Sequence, residues 1–270
     1  MKNSPIIKTN QLSKNFGDYR AVREVDISVY PGEIFGFLGP NGAGKTTTIK
    51  MLTGLLLPSS GSLAINGMEM ADAPEQCKAV TGYIPDRPFL YEKLTGMEYL
   101  HFIASLYPAK GSLDVKKEAA HYLELFDLLD WQDNLIEGYS HGMKQKLIMT
   151  SIFILGQDLI VVDEPMVGLD PKSARIVKEL FKEKASQGGT IFLSTHSLEI
   201  AEELCDRIAI ILQGRIVTSG TLAEIRQQAG NSTDNLEDIF LQLTGSSELQ
   251  AVVQALHDER DRTGQQPGPA

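Results

Sequence analysis

Residues 39–47 read Gly39-Pro40-Asn41-Gly42-Ala43-Gly44-Lys45-Thr46-Thr47, a spacing suited to a loop wrapped around phosphate. Glycines let the backbone turn tightly enough for successive N–H groups to point at anionic oxygens. Lys45 would bring a mobile positive charge to the β- and γ-phosphates, and the Thr46 hydroxyl is a donor for Mg²⁺. Gly39, Asn41, Gly42, Gly44, Lys45, Thr46 and Thr47 are therefore candidate phosphate contacts. The substrate class is a nucleoside triphosphate with magnesium.

Two further segments carry chemistry of the same kind. Leu159-Ile160-Val161-Val162-Asp163-Glu164-Pro165 is an apolar strand that delivers two carboxylates at its C-terminal end, where open α/β sheets bind ligands. Asp163 suits the acidic partner of a phosphate loop, holding Mg²⁺ directly or through water. Glu164, pointing differently, could polarise an attacking water. Thr190-Ile191-Phe192-Leu193-Ser194-Thr195-His196 repeats the design with a histidine, and His196 could meet the γ-phosphate or orient the water.

These groups need elements to position them. Residues 33–38 read as a buried strand feeding the phosphate loop. Thr46 onward reads as a helix with Ile49, Leu52 and Leu55 on one side, its N-terminus adding roughly half a positive charge at the phosphates. Residues 6–12 and 25–30 read as strands, and Asn66-Gly67 after residues 62–65 reads as a hairpin turn. Helical patterns occupy 97–106, 115–129 and 144–155, with Pro108 and Gly111 separating the first two. Strand signals return at 159–162, 190–194, 208–212 and 215–219. Asp170-Pro171 starts a helix that Gly188-Gly189 can end. Thr221 to Glu224 is a capping box, and 235–243 a last short amphipathic helix. The expected fold is α/β: a P-loop NTPase core with an N-terminal antiparallel β subdomain and an inserted α-helical subdomain. The expected bounds are 1–220 for the main domain with its insertion at about 89–157, 221–248 for a short helical extension, and 249–270 for a polar tail, partly helical to disordered.

Bulk properties narrow the function classes. A chain of 270 residues can bury about 70–75% of its unfolded surface. The net charge is −10 and no dense Lys/Arg run stands out, which argues against nucleic acid as a partner. Cys77 and Cys205 lack metal-ligand spacing and read as small buried side chains, in keeping with a reducing compartment. No apolar stretch suits a signal peptide, and the longest apolar runs are far short of the about 20 residues that cross a membrane.

With these residues in hand, residues 5–220 or so resemble the ATP-binding subunit of an ABC transporter. The family's signature, normally Leu-Ser-Gly-Gly-Gln, stands here as Tyr139-Ser140-His141-Gly142-Met143. The resemblance implies that Ser140 and Gly142 close over the γ-phosphate bound by an opposing subunit, an arrangement that a hydroxyl, a backbone N–H and a helix N-terminus all favour. It places Phe16 where an aromatic stacks on adenine, Gly168-Leu169-Asp170 in the loop that crosses to the partner, and His196 at the switch histidine. It implies ATP and Mg²⁺ bound in a head-to-tail dimer, a homodimer in the simplest form. It also implies an integral membrane permease as partner and a place on the cytoplasmic face of the membrane.

Two residues depart from the family pattern. Asp86, in Gly82-Tyr83-Ile84-Pro85-Asp86, replaces the usual glutamine; its carboxylate can touch Mg²⁺ but repels the γ-phosphate. His141 replaces the first signature glycine and is expected to point away from ATP. Ala21-Val22, the run from Cys205 to Ala209, and the sequence after the signature resemble the type-2 exporter branch. Two other classes stay open: a soluble ATPase of the same superfamily acting on a non-membrane machine, and a non-hydrolysing regulatory ATP-binding module. Partner identity separates the first from the transporter, and ATPase activity separates the second.

Overall fold

The structure is a computed structural model that describes residues 4–107, 114–228, 236, 237, 239 and 240. The expected tail at 249–270 lies outside them, as do Pro108, Gly111 and most of the expected helix at 235–243.

Two sheets carry the first unit, residues 1–219. The first is antiparallel, with strand order β2-β1-β5-β6 and β3 paired to β1. It uses β1 (Ile7–Phe16), β2 (Tyr19–Val25), β3 (Ser28–Val29), β5 (Ser60–Ile65) and β6 (Met68–Glu69). The sequence reading placed one strand over 25–30. Instead β2 ends at Val25 and only Ser28–Val29 pair again, across Asp26, whose carboxylate accepts from Gln11 N and Nε2. Asn66-Gly67 turns β5 into β6 with φ of 51° and 77°, as two-residue hairpins of this type require.

The second sheet has the order β11-β10-β4-β9-β8-β7. Its members are β4 (Ile34–Leu38), β7 (Thr81–Ile84), β8 (Leu159–Asp163), β9 (Thr190–Thr195), β10 (Arg207–Leu212) and β11 (Arg215–Gly220). Strands β10, β4, β9, β8 and β7 run parallel. Buried on both faces, β4, β8 and β9 are nearly continuous apolar runs, the pattern parallel strands show. Phe192 stacks on Phe35 at a centroid distance of 5.7 Å and lies tilted against Phe37 at 5.4 Å. Register fixes what lies at the carboxyl edge: Leu38 opposes Thr195, and Asp163 opposes Ser194.

Helix α1 (Lys45–Leu52) follows the phosphate loop. It buries Ile49 and Leu52, but it stops before Leu55, which is exposed. The helix face expected through Leu55 is therefore shorter, because the chain turns at Gly54 with φ 67°. A short helix, α2 (Pro74–Ala79), precedes β7.

Between β7 and β8 the chain forms α3 (Gly96–Ser105), α4 (Val115–Leu125) and α5 (His141–Leu155). Thr95 and Glu98 cap α3 reciprocally, and Asp114 caps α4. The pattern expected to stay helical through 129 breaks at Phe126 and Asp127, where φ is positive at 55°. Then α6 (Pro171–Ser186) and α7 (Leu198–Leu204) flank β9. A second unit begins at Gly220; in it α8 (Leu222–Gln228) starts with the expected capping box, Thr221 N donating to Glu224 and Glu224 N to Thr221 Oγ1.

Candidate functional site

The phosphate loop joins β4 to α1 at the carboxyl edge of the parallel sheet. Gly44 has φ 111°, and a Cβ there would lie 2.6 Å from the Ala21 carbonyl oxygen, so only glycine fits. Lys45 Nζ donates to the carbonyls of Gly39 at 2.6 Å and Pro40 at 3.3 Å. Burial draws its ammonium below the usual lysine range, while Glu164 and Asp163 pull the other way. Thr46 Oγ1 donates to Asp163 Oδ2 at 3.1 Å. The two groups expected to share Mg²⁺ thus already touch.

Asp163, at the end of β8, is 2% exposed. Burial pushes its carboxyl above the ordinary range. Hydroxyl groups of Ser194 and Thr46 oppose that shift, and Asp86 and Glu164 reinforce it by like-charge repulsion. Tyr83 is pushed up to about 12, first by burial and then by Asp163 and Asp86.

Glu164 leaves the strand in the left-handed region, φ 50°, a conformation uncommon for a residue with a side chain and frequent at functional positions. Its N–H donates to Ser194 O at 3.0 Å. Its carboxylate is held at both oxygens: Thr195 Oγ1 donates to Oε2 at 3.1 Å, and His196 Nδ1 lies 2.7 Å from Oε1. A carboxylate oxygen accepts, so this contact is made by the tautomer that carries a proton on Nδ1. Each oxygen keeps a lone-pair site, enough for a water. Sequence reasoning gave Thr195 no role; its signal was a hydroxyl residue directly before the histidine at a strand end.

Phe16 ends β1 and opposes Tyr19 across the hairpin turn. The two rings, 51% and 60% exposed, line an open cleft of about 200 Å³ with Asn41, Gly42 and the residues from Gly44 to Thr47. Lys14 Nζ stands 5.4 Å from the Phe16 ring centroid. A planar apolar group beside the phosphate loop is what a nucleobase needs. Tyr19 went unremarked in the sequence, where an exposed aromatic in a polar stretch looks like any surface tyrosine.

Ser140, Gly142 and Asp170 form a separate cluster. Ser140 is the N-cap of α5 and accepts from Met143 N at 3.3 Å. A Cβ on Gly142 would lie 2.7 Å from Gly168 O, and one on Gly168 would lie 2.5 Å from His141 Cδ2. The His141 ring therefore lies against its own chain. Asp170 caps α6 through Ser173 N at 2.9 Å and pairs with Lys146 at 2.9 Å; Ser173 and Lys146 hold its carboxyl well below the ordinary range.

Asp86 is exposed just past β7. The preceding Pro85 carbonyl accepts from Nε2 of the fully buried Gln145 at 3.0 Å. Pro85, Arg87 and Phe89 border a largely apolar groove of about 530 Å³, whose other walls include Tyr99, Ile103 and Ile152. Among the described residues, no helix is long and apolar enough to cross a membrane. No set of three or more His, Cys, Asp or Glu side chains among them is placed to hold a metal; the oxygens near the phosphate loop are those of Thr46 and Asp163, with the Asp86 carboxylate acting on Asp163. Such hard oxygen donors suit Mg²⁺, which keeps water and phosphate in its remaining positions.

The family model for the ABC transporter matches residues 22–167. ABC-type transporter ATP-binding protein EcsA of Bacillus subtilis is 34% identical over 242 residues, covering 88% of this chain and 96% of that protein. SkfA peptide export ATP-binding protein SkfE of the same organism is 37% identical over 224 residues, covering 83% and 92%. A solved ATP-binding subunit of an ABC transporter superimposes with a TM-score of 0.85 at 36% identity, covering 88% of this chain and 99% of that one. The chain belongs to the ABC transporter family, as an ATP-binding subunit with ATPase activity.

Proposed function

We propose that two copies of this chain close head to tail around two Mg-ATP and power export through a separate membrane subunit. The observation that carries this reading is the cluster at one sheet edge. Lys45, Thr46, Asp163, Glu164 and His196 converge there, whereas Ser140 and Gly142 make their contacts elsewhere on the chain. A site that needs both groups takes the second from another subunit.

In this mechanism the loop amides and Lys45 hold the phosphates, and Phe16 stacks on the base. Thr46 and Asp163, bordered by Asp86, would hold Mg²⁺, which when bound neutralises charge on the β- and γ-phosphates. Glu164, fixed by Thr195 and His196, accepts a proton from the attacking water as its oxygen bonds to the γ-phosphorus and the bridging bond to ADP breaks. With Nδ1 committed to Glu164, Nε2 of His196 is the ring atom left to meet a γ-phosphate oxygen, donating when the ring is protonated. Ser140 and Gly142 of the opposing copy complete the donor set, and Asp170 lies in the crossing loop.

The apolar groove beside Asp86 is where a membrane subunit would dock, placing the complex at the cytoplasmic face. The name of the peptide-export relative supports the direction. Glu164→Gln is the test. It should bind ATP, lose about 10²–10⁴ in turnover and accumulate as a dimer. With Mg-ATP it should retain a polytopic membrane protein near one-to-one from detergent-solubilised native membranes. Normal turnover would remove Glu164 as the base, and recovery of soluble partners alone would favour a non-membrane machine.

A further inference from the structure

The geometry points to His141 as a positioning residue: its ring sets the place of the loop at 166–170. The inference rests on the reading that this loop and the Ser140 segment face a second subunit.

The loop is fastened along its length. At its start, Val167 N donates to Glu164 O at 3.2 Å, and Leu169 N to Met166 O at 3.3 Å. At its end, Asp170 caps α6 and pairs with Lys146, whose side chain is only 11% exposed. Between these points the loop is backbone alone at Gly168, with φ 79°. There the His141 ring fills the space a side chain would take, since a built Cβ would lie 2.5 Å from Cδ2 and 3.1 Å from Nε2. Gly168 O also comes within 2.7 Å of a Cβ built on Gly142. Two successive residues of α5 thus approach Gly168. Of these two, His141 supplies the side chain, because Gly142 has none. A glycine at 141 would remove the ring that opposes Gly168, and a left-handed glycine has ample conformations to occupy once released.

His141 is the first residue of α5, directly after the Ser140 cap. Its ring therefore ties the helix start that would meet one bound ATP to a loop that Val167 N fastens to the Glu164 carbonyl. Contact by ring shape, not by charge, is what the geometry gives.

The test compares His141→Ala, which removes the ring without adding glycine freedom, with His141→Phe, which keeps a flat ring. Two readouts are used on the full chain. Amide hydrogen exchange of the nucleotide-free protein should speed up about tenfold at 166–170 in His141→Ala and stay near the parent in His141→Phe, the usual reach of a contact-pair coupling. In the Glu164→Gln background, the ATP-dependent dimer should weaken about tenfold with His141→Ala, while ATP affinity of the monomer changes less than about twofold and His141→Phe restores the dimer. Unchanged exchange and unchanged dimer affinity in His141→Ala overturn the inference. So does a Phe variant that behaves like Ala, because the ring would then not act by shape. If Glu164→Gln itself forms no dimer, the two-subunit reading fails, and the exchange measurement alone decides whether His141 positions the loop.

Discussion

Replacing Asp163 by asparagine should stabilise the nucleotide-free protein while removing its response to Mg-ATP. The carboxylate is 2% exposed. Lys45, a cation that feels its charge, already donates to two loop carbonyls, and Glu164 and Asp86 repel it. Burial dominates, so the folded state holds the Asp163 proton more tightly than the unfolded chain does. The sign follows from linkage. For a carboxyl raised above its ordinary 3.8, the stabilising contribution is complete below that value and is lost as pH rises through the raised folded value. At neutral pH the charged group is therefore a net burden. Asparagine keeps the shape and can still accept from Thr46. A gain of about 1 kcal/mol is the usual size of such a relieved conflict, and in a chain of this length it raises Tm by about 2–4 °C. Scanning calorimetry from pH 4 to pH 8 should show the two proteins converging at the acid end and separating toward neutrality. Saturating Mg-ATP, at about a hundredfold excess over Kd, should add about 2.7 kcal/mol to the wild type and much less to the variant. A nucleotide-free variant that melts below the wild type at neutral pH, or a difference that does not change with pH, would refute the reasoning.

Thr195→Val removes the hydroxyl that donates to Glu164 Oε2; steady-state kinetics should show kcat down about tenfold with little change in KM, the worth of one hydrogen bond to a charged group. Phe16→Ala should weaken ATP binding by about 5–100-fold, the loss of one stacked base; inorganic tripolyphosphate, which has no base, should bind the two proteins alike in competition measurements. Asp170→Ala removes the α6 cap and the partner of Lys146 and should cost about 1–2 kcal/mol in urea unfolding. The lowered carboxyl of Asp170 means that this difference is present at neutral pH and fades as pH falls through its folded value. Gly82→Ala would drive a Cβ to 2.6 Å from Gln157 Oε1 and 2.7 Å from Ile152 Cγ2; chemical denaturation should report a loss of about 1–3 kcal/mol.

The chemistry was the most legible part of this sequence. A phosphate loop, a strand ending in two acids and a strand ending in histidine each need a particular residue at a particular spacing, so the residues themselves announce the sheet edge. The parallel strands were legible for a related reason, since burial on both faces leaves runs such as that of β8 almost free of polar residues. Strand β2 was not. Its residues Arg20, Arg23 and Glu24 break the alternation, and its pairing with β1 passes through two irregularities. Local pattern also hides contacts between distant residues. Gln145 reaches Pro85 across 60 positions and Lys146 reaches Asp170 across 24, and nothing adjacent to the glutamine or the lysine signals so distant a partner. Thr195 was in plain view, but its use depends on Glu164 leaving β8 with positive φ, which only the folded backbone reveals.

Strands β7 and β8 lie side by side, Gly82 facing Ile160 and Ile84 facing Val162, although α3, α4 and α5 lie between them in the chain. Because the two strands run parallel, the detour leaves the sheet after Ile84 and rejoins it at Leu159, one strand across and roughly 10 Å back along the strand direction. An excursion whose two ends are fixed by adjacent strands of one sheet places little demand on its own length, because the entropy of closing it grows only slowly with the number of residues. Changes in the length or sequence of such a segment leave strand order and the reactive edge as they were. The same property makes it a natural unit for grafting. A chimera carrying a foreign 89–157 segment would present a new surface there, provided that the incoming helix corresponding to α5 brings a residue able to hold the carbonyl at 85.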